Sequence, residues 1–306
     1  MRVLLTGGAG FIGSHVSDML IDKGHEVIII DNLSSGKKEN LSQNSLFYEG
    51  DIRGPIVKEV MEKERPVALI HHAAQISVRD SVDDPIYDMD VNIGGTLNLL
   101  QNSVRFGIKR FLFACTGGAL YGEQDYFPAD EEHPIRPISP YGIAKLSCEK
   151  YLYFYHEVYG LSYVSLRYSN VYGPRQDPYG EAGVVAIFSQ KMLAGEQPVI
   201  NGSGEQTRDF VFVEDVARAN ILALETNISG VFNIGTGIET TVNELFKGIK
   251  GLFKSNANEV HGEPNKGEQL RSVIECSKAK RELGWHPNVP FHEGLKQTAA
   301  FFEEQK

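Results

Sequence analysis

The chain has 306 residues, of which 42% are hydrophobic and 23% charged, a globular composition with enough apolar surface for a sizeable core, so disorder is excluded. A formal net charge of -10 repels a polyanionic backbone and argues against nucleic-acid partners. Three widely spaced cysteines, Cys115, Cys148 and Cys276, suggest neither a disulfide framework nor a zinc site; no metal is expected.

The opening Met1-Arg2 runs directly into apolar residues, without the basic segment, apolar core and cleavage site of an export signal. No run reaches the roughly 18 apolar residues of a spanning helix. A cytoplasmic protein with no membrane partner is expected.

In chain order, Arg2 to Thr6, Glu26 to Ile30, Leu46 to Glu49, Val67 to His71, Arg110 to Ala114 and Tyr163 to Arg167 read as strands separated by helix-length segments. That alternation predicts βαβ units: an α/β fold with a doubly wound, Rossmann-like parallel sheet. Continuous apolar runs such as Val27 to Ile30 fit strands buried on both faces. After Tyr168 the rhythm breaks at Gly173-Pro174, Gly202 to Gly204 and Pro264 to Gly267. The runs Asp209 to Val213 and Val231 to Ile234 read as strands returning to the sheet. The expected division is therefore discontinuous: residues 1–168 plus about 208–236 form one domain, and about 169–207 plus 237–306 a smaller one.

Between the first strand and the first helix, Gly7, Gly8, Gly10 and Gly13 satisfy G-x-G-x-x-G and its G-x-x-G-x-x-G variant. Such a turn lets backbone N–H groups meet a pyrophosphate at the positive end of the helix. Asp31 follows the second strand, where a carboxylate accepts from an adenosine ribose and repels a 2′-phosphate. NAD is the predicted cofactor, and Lys37 and Lys38 read as a solvated pair.

Ser139-Pro140-Tyr141 opens a helix on which Tyr141 and Lys145 share a face. A tyrosine titrates near pH 10, so it serves as a base at neutrality only where a nearby cation stabilises its phenolate. Lys145 can supply that field. At the end of the strand Phe111 to Ala114, Thr116 places a hydroxyl where open parallel sheets bind ligands.

These features, with Asp31-Asn32, His72-Ala73-Ala74, Asn92, Arg167 to Arg175, Thr207 to Val211 and Ser277-Lys278-Ala279, run along nearly the whole chain. The chain resembles the extended short-chain dehydrogenase/reductase family, and within it the nucleotide-sugar 4-epimerases. The resemblance implies that Tyr141 is the base, that Lys145 lowers its pKa and holds the nicotinamide ribose, and that Thr116 binds the reacting oxygen. It implies NAD contacts from Gly7, Gly10, Phe11, Ile12, Gly13, Asp31, Asn32, Asp51, Ile52, Ala73, Ala74, Asn92, Tyr141, Lys145 and Tyr168. Asn170, Arg208 and Arg271 match positions that hold a substrate diphosphate, and Ser272 matches one bordering the 2-position of the sugar.

The activity so implied is inversion of C4 of a UDP-linked hexose by transient oxidation, with a homodimer as the assembly. The substrates would be UDP-glucose and UDP-galactose, and the 2-acetamido pair if Ser272 leaves room. Another activated sugar such as UDP-glucuronate, and a non-catalytic NAD sensor, are the alternatives. Two departures stand out. Gly117 occupies the place, four residues before Tyr121, where many members carry the hydroxyl residue. Gly117-Gly118-Ala119 also stands where dehydratases of the family place an Asp-Glu pair.

Overall fold

The computed structural model describes residues 1–179, 183–264 and 269–305. Its centre is a seven-stranded sheet of β1 (Arg2–Thr6), β2 (Glu26–Asp31), β3 (Leu46–Glu49), β4 (Ala68–His71), β5 (Arg110–Thr116), β6 (Ser162–Tyr168) and the Gly230–Ile234 strand. The spatial order is Gly230–Ile234, β6, β5, β4, β1, β2, β3, and every pair is parallel. This is the doubly wound sheet that the alternation of elements predicted.

The central strands β1 and β2 are mostly apolar because both faces are covered. Val3 and Leu5 of β1 join one core layer with Val27 and Ile29 of β2, and Leu4 joins the opposite layer with Ile28 and Ile30. Alternate residues of a strand point to opposite faces, so a strand sandwiched between helices is mostly apolar and a polar residue in it needs a buried partner.

One expectation is corrected. Of the two late strands, only Gly230–Ile234 joins the main sheet, beside β6. Phe210–Phe212 instead pairs with Asn170–Tyr172 in a separate two-stranded ladder. A further three-stranded sheet places Thr207–Arg208 between Thr240–Thr241 and Arg271–Ser272. These short strands rest on their own core, which includes Tyr172, Phe188, Phe210, Phe212 and Phe246.

The strand order reverses between β1 and β4. β1 leads outward to β2 and β3, whereas β4 leads the other way to β5 and β6. The crevice beyond the carboxyl ends of such a pair is where open α/β sheets bind ligands. No helix among the described residues is long and apolar enough to cross a membrane.

Candidate active site

The glycine turn forms one wall of that crevice, and its glycines are demanded by space. A Cβ on Gly13 would lie 2.1 Å from the Gly7 carbonyl oxygen, and one on Gly7, at φ 73°, would lie 2.6 Å from the Ala73 nitrogen. The turn is thus pressed against both its own helix and the end of β4, and the Phe11–Asp22 helix starts at the cavity wall, the end of a helix whose first N–H groups have no intrahelical partner. Phe11 and Ile12, the first residues of that helix, line the crevice with Gly7, Gly10 and Gly13.

The crevice, about 210 Å³, also contains Ala73 and Ala74 from the end of β4 and Tyr168 from the end of β6. Asp31 lies at its far end with both carboxylate oxygens in use: Ala9 N donates to Oδ2 at 3.0 Å and Leu33 N to Oδ1 at 2.8 Å. Nearby, Asn32 Nδ2 donates to Asp51 at 3.2 Å, and hydrogen bonds from Arg53 hold the Asp51 carboxyl at about 2. Ile52 completes that end. Lys38 pairs with Glu49 at the surface, whereas Lys37 lines the adjoining larger cavity.

Asn92 is placed differently from the other predicted cofactor residues. It is buried, and its amide closes on the main chain of Gln75 in both directions, each at 3.0 Å. It shapes the loop after β4 and does not line the crevice.

The helix that carries Tyr141 and Lys145 is Pro140–Tyr159, with Ser139 as N-cap: its hydroxyl accepts from Gly142 N at 3.1 Å, and Pro140 occupies the first turn, where no N–H is needed. A contact sixty residues away fixes its start, because Tyr141 N donates to Ser81 Oγ at 3.2 Å. Lys145 is buried one turn on, 5.8 Å from the Tyr141 ring centre, and burial lowers its pKa. Tyr141 lines the crevice and both neighbouring cavities, of about 610 and 410 Å³.

Thr116 ends β5 on the wall of those same two cavities, with its Oγ1 accepting from Ala119 N at 3.1 Å. Its hydroxyl hydrogen remains for a ligand oxygen. At Gly117 an added Cβ would lie 2.9 Å from Ile274 Cδ1 and 3.2 Å from the Tyr168 carbonyl oxygen. A side chain there would require Ile274 and the Tyr168 main chain to give way, and Thr116 is the hydroxyl residue directly before it on this wall.

The smaller sheet delivers the rest. Ser272 pairs with Arg208 in register, and both line the 410 Å³ cavity together with Asn170, Thr116 and Tyr141. Ser272 is 4% exposed. Arg271 points the other way: it forms a bidentate pair with Glu239 at 2.9 and 2.7 Å, lies over the Phe127 ring, and lines none of the three cavities.

Two histidines at the end of β4, His71 and His72, have distinct places. His71 bridges Thr6 Oγ1 at 2.7 Å and Thr96 Oγ1 at 3.0 Å inside the sheet. His72 lines the crevice, stacks on Tyr168 and meets its hydroxyl at 3.2 Å; burial and then the charge of Lys145 lower its pKa to about 3. Its Nδ1 is buried without a protein partner. An unmatched polar atom beside a glycine cradle fits a crevice built for a polar ligand such as a dinucleotide. Ser81 was not legible as a site residue, since it acts through a contact between distant segments, and His72 was legible only as part of the His72-Ala73-Ala74 motif.

A sequence model of the NAD dependent epimerase/dehydratase family matches residues 3–235. The chain is similar to the crystal structure of UDP-glucose 4-epimerase with UDP-glucose from Thermotoga maritima, at 53% identity over 100% of this chain and 99% of that one, with a TM-score of 0.98. It is similar to the Thermus thermophilus UDP-glucose 4-epimerase in complex with NAD, at 43% identity over 99% of each chain and a TM-score of 0.95. The UDP-N-acetylglucosamine 4-epimerase of Methanobrevibacter ruminantium, in complex with UDP-N-acetylmuramic acid, is 38% identical over 100% of this chain and 99% of that one, with a TM-score of 0.95. A nucleotide crevice at the strand reversal, a Tyr-Lys pair on its wall and this kinship agree: the chain belongs to the NAD-dependent epimerase/dehydratase family.

Proposed function

We propose that this protein is an NAD-dependent isomerase that inverts C4 of a UDP-linked hexose, interconverting UDP-glucose and UDP-galactose. The observation that carries the reading is the wall shared by Tyr141 and Thr116 in the 410 Å³ cavity, with Gly117-Gly118-Ala119, and no Asp or Glu, directly after Thr116. Dehydration or decarboxylation needs a further acid or base for a neighbouring carbon. Epimerisation at a single carbon needs only the hydroxyl pair.

The chemistry that the nicotinamide supplies when bound is reversible hydride acceptance. Tyr141 holds the proton of the 4-hydroxyl oxygen and returns it, Lys145 keeps the phenolate accessible near neutrality, and Thr116 donates to the same oxygen. Asn170 and Arg208 lie on the same cavity, where they would hold the diphosphate. Arg271 would reach a phosphate only by leaving Glu239. The transient ketone must present its other face, and the open cavity beyond Thr116 gives the sugar ring room to turn.

Ser272 favours a wider substrate range. A small buried residue on the cavity wall leaves space for a 2-acetamido group, so UDP-N-acetylglucosamine and UDP-N-acetylgalactosamine are substrates as well. In this reading residues 1–168 with about 208–236 hold NAD, Arg208 at the border facing the diphosphate, and 169–207 with 237–306 hold the UDP-sugar.

The assembly is a homodimer. Ile86, 70% exposed, and Ile143, Phe154 and Val158, each about half exposed, leave an apolar stripe on the Pro140–Tyr159 helix and its neighbour. Light scattering of the parent and of Phe154→Glu checks it, and a monomeric parent rejects it. The function is tested by incubating the purified protein with UDP-galactose without added cofactor. Formation of UDP-glucose supports the reading, whereas retained NAD with no turnover of any nucleotide sugar replaces it with a sensing role.

A further inference from the structure

Lys145 is 4% exposed, and its ammonium donates to the Ala114 carbonyl oxygen at 3.0 Å. A cation removed from water gives up its proton unless an opposite charge compensates. The titratable groups around it are the thiols of Cys115 and Cys148, the imidazoles of His71 and His72, the Tyr141 phenol and the Asp88 carboxyl. Of these, only a carboxyl is an anion at neutral pH in its ordinary range; burial raises the Asp88 carboxyl, and hydrogen bonds from Gln75 and Asn92 with the charge of Lys145 act against that rise. Glu149, on the same helix, is already paired with Arg167 at 2.7 Å.

Asp88 belongs to the short Pro85–Met89 helix and is 1% exposed. Its Oδ1 accepts from Asn92 Nδ2 at 2.9 Å and from Gln75 Nε2 at 3.0 Å. Its Oδ2 is buried with no hydrogen-bond partner. The Asn92 carbonyl oxygen in turn accepts from Cys148 Sγ at 3.3 Å, on the catalytic helix just past Lys145. Asp88 therefore connects to the catalytic helix on one side and, through Gln75, to the loop that walls the substrate side of the crevice on the other. A carboxylate oxygen that no donor neutralises acts through its field, and in the interior that field is weakly screened.

We propose that Asp88 is a positioning residue for the Tyr141–Lys145 pair: its buried carboxylate is the counter-charge that keeps Lys145 protonated, while the same side chain locks Gln75 and Asn92 in place. The proposal rests on Tyr141 and Lys145 being the acid/base pair. Removing the negative charge makes it easier for both Lys145 and Tyr141 to lose a proton, so both titrations move to lower pH.

Asp88→Asn keeps the shape and removes the charge. The bell-shaped pH profile of kcat for UDP-galactose should shift as a whole to lower pH, by about one unit or more on each limb. Above the alkaline limb a one-unit shift reads as about a tenfold loss of rate. Ultraviolet difference titration of tyrosinate, parent minus Tyr141→Phe, repeated in the Asp88→Asn background, should move in the same direction without turnover. A lower kcat with both limbs and the tyrosinate transition unmoved would show a packing role only and overturn the proposal. Should the amide prevent folding, Asp88→Ser makes the same test. A parent that does not turn over UDP-sugars would reject the proposed function, and the tyrosinate titration would still decide the role of Asp88.

Discussion

The Lys145 ammonium and the Tyr141 ring share one side of the catalytic helix, with Nζ 5.8 Å from the ring centre and anchored on the Ala114 carbonyl oxygen. The cation is therefore held by the end of β5 as well as by its own helix. Tyr141→Phe should lower kcat by on the order of 10²- to 10⁴-fold, the contribution of a positioned acid/base group, while NAD content stays near that of the parent. Lys145→Met should reduce both rate and NAD content. Wild-type-like epimerisation by Tyr141→Phe would end this mechanism.

Thr116 is the proposed hydroxyl residue, and a side chain at Gly117 would crowd Ile274 and the Tyr168 carbonyl oxygen. Thr116→Ser should stay within a few-fold of the parent, and Thr116→Val should lose on the order of 10²-fold, as for removal of a donor to a reacting oxygen. Adding Gly117→Ser to Thr116→Val should bring no rescue and should lower the melting temperature. Recovery of rate in the double variant would move the role to position 117.

Ser272 is a steric argument and is read by comparing substrates. The parent should interconvert the 2-acetamido pair and the plain hexoses. Ser272→Tyr should lose on the order of a hundredfold on the acetamido sugars relative to the plain pair. If the tyrosine variant treats both pairs as the parent does, position 272 does not border the 2-substituent.

The cofactor can be identified by mass spectrometry of the denatured protein. Asp31, already accepting from two backbone N–H groups, presents negative charge where a 2′-phosphate would sit. NAD should be recovered. NADP as the main species would mean that Lys37, on the wall of the adjoining cavity, outweighs Asp31.

Stability should depend on a pair away from the reacting groups. Arg167 of β6 and Glu149 of the catalytic helix are 2.7 Å apart and almost fully buried, and Arg167 also donates to the Tyr121 hydroxyl at 2.9 Å. Removing one partner leaves a buried charge uncompensated. Arg167→Met should destabilise by about 3–5 kcal/mol in urea unfolding. The Glu149→Met, Arg167→Met double variant should cost less than the single change, and a double variant as unstable as the single would contradict this account.

Amino-acid order alone determined the parallel sheet, since strands such as Val27 to Ile30 are apolar on both faces only when helices cover both. It also determined the glycine turn, the Tyr141–Lys145 spacing and the Ser139-Pro140 start of the catalytic helix, because each depends on residues a turn or two apart. The tertiary structure decided what depends on distant segments meeting. It turned Arg271 toward Glu239, occupied the Asn92 amide with Gln75, set Phe210–Phe212 beside Asn170–Tyr172 and brought Ser81 under Tyr141. A side chain's partner is chosen by the packing of whole elements, and local sequence carries no record of which neighbour the fold will place within hydrogen-bond reach.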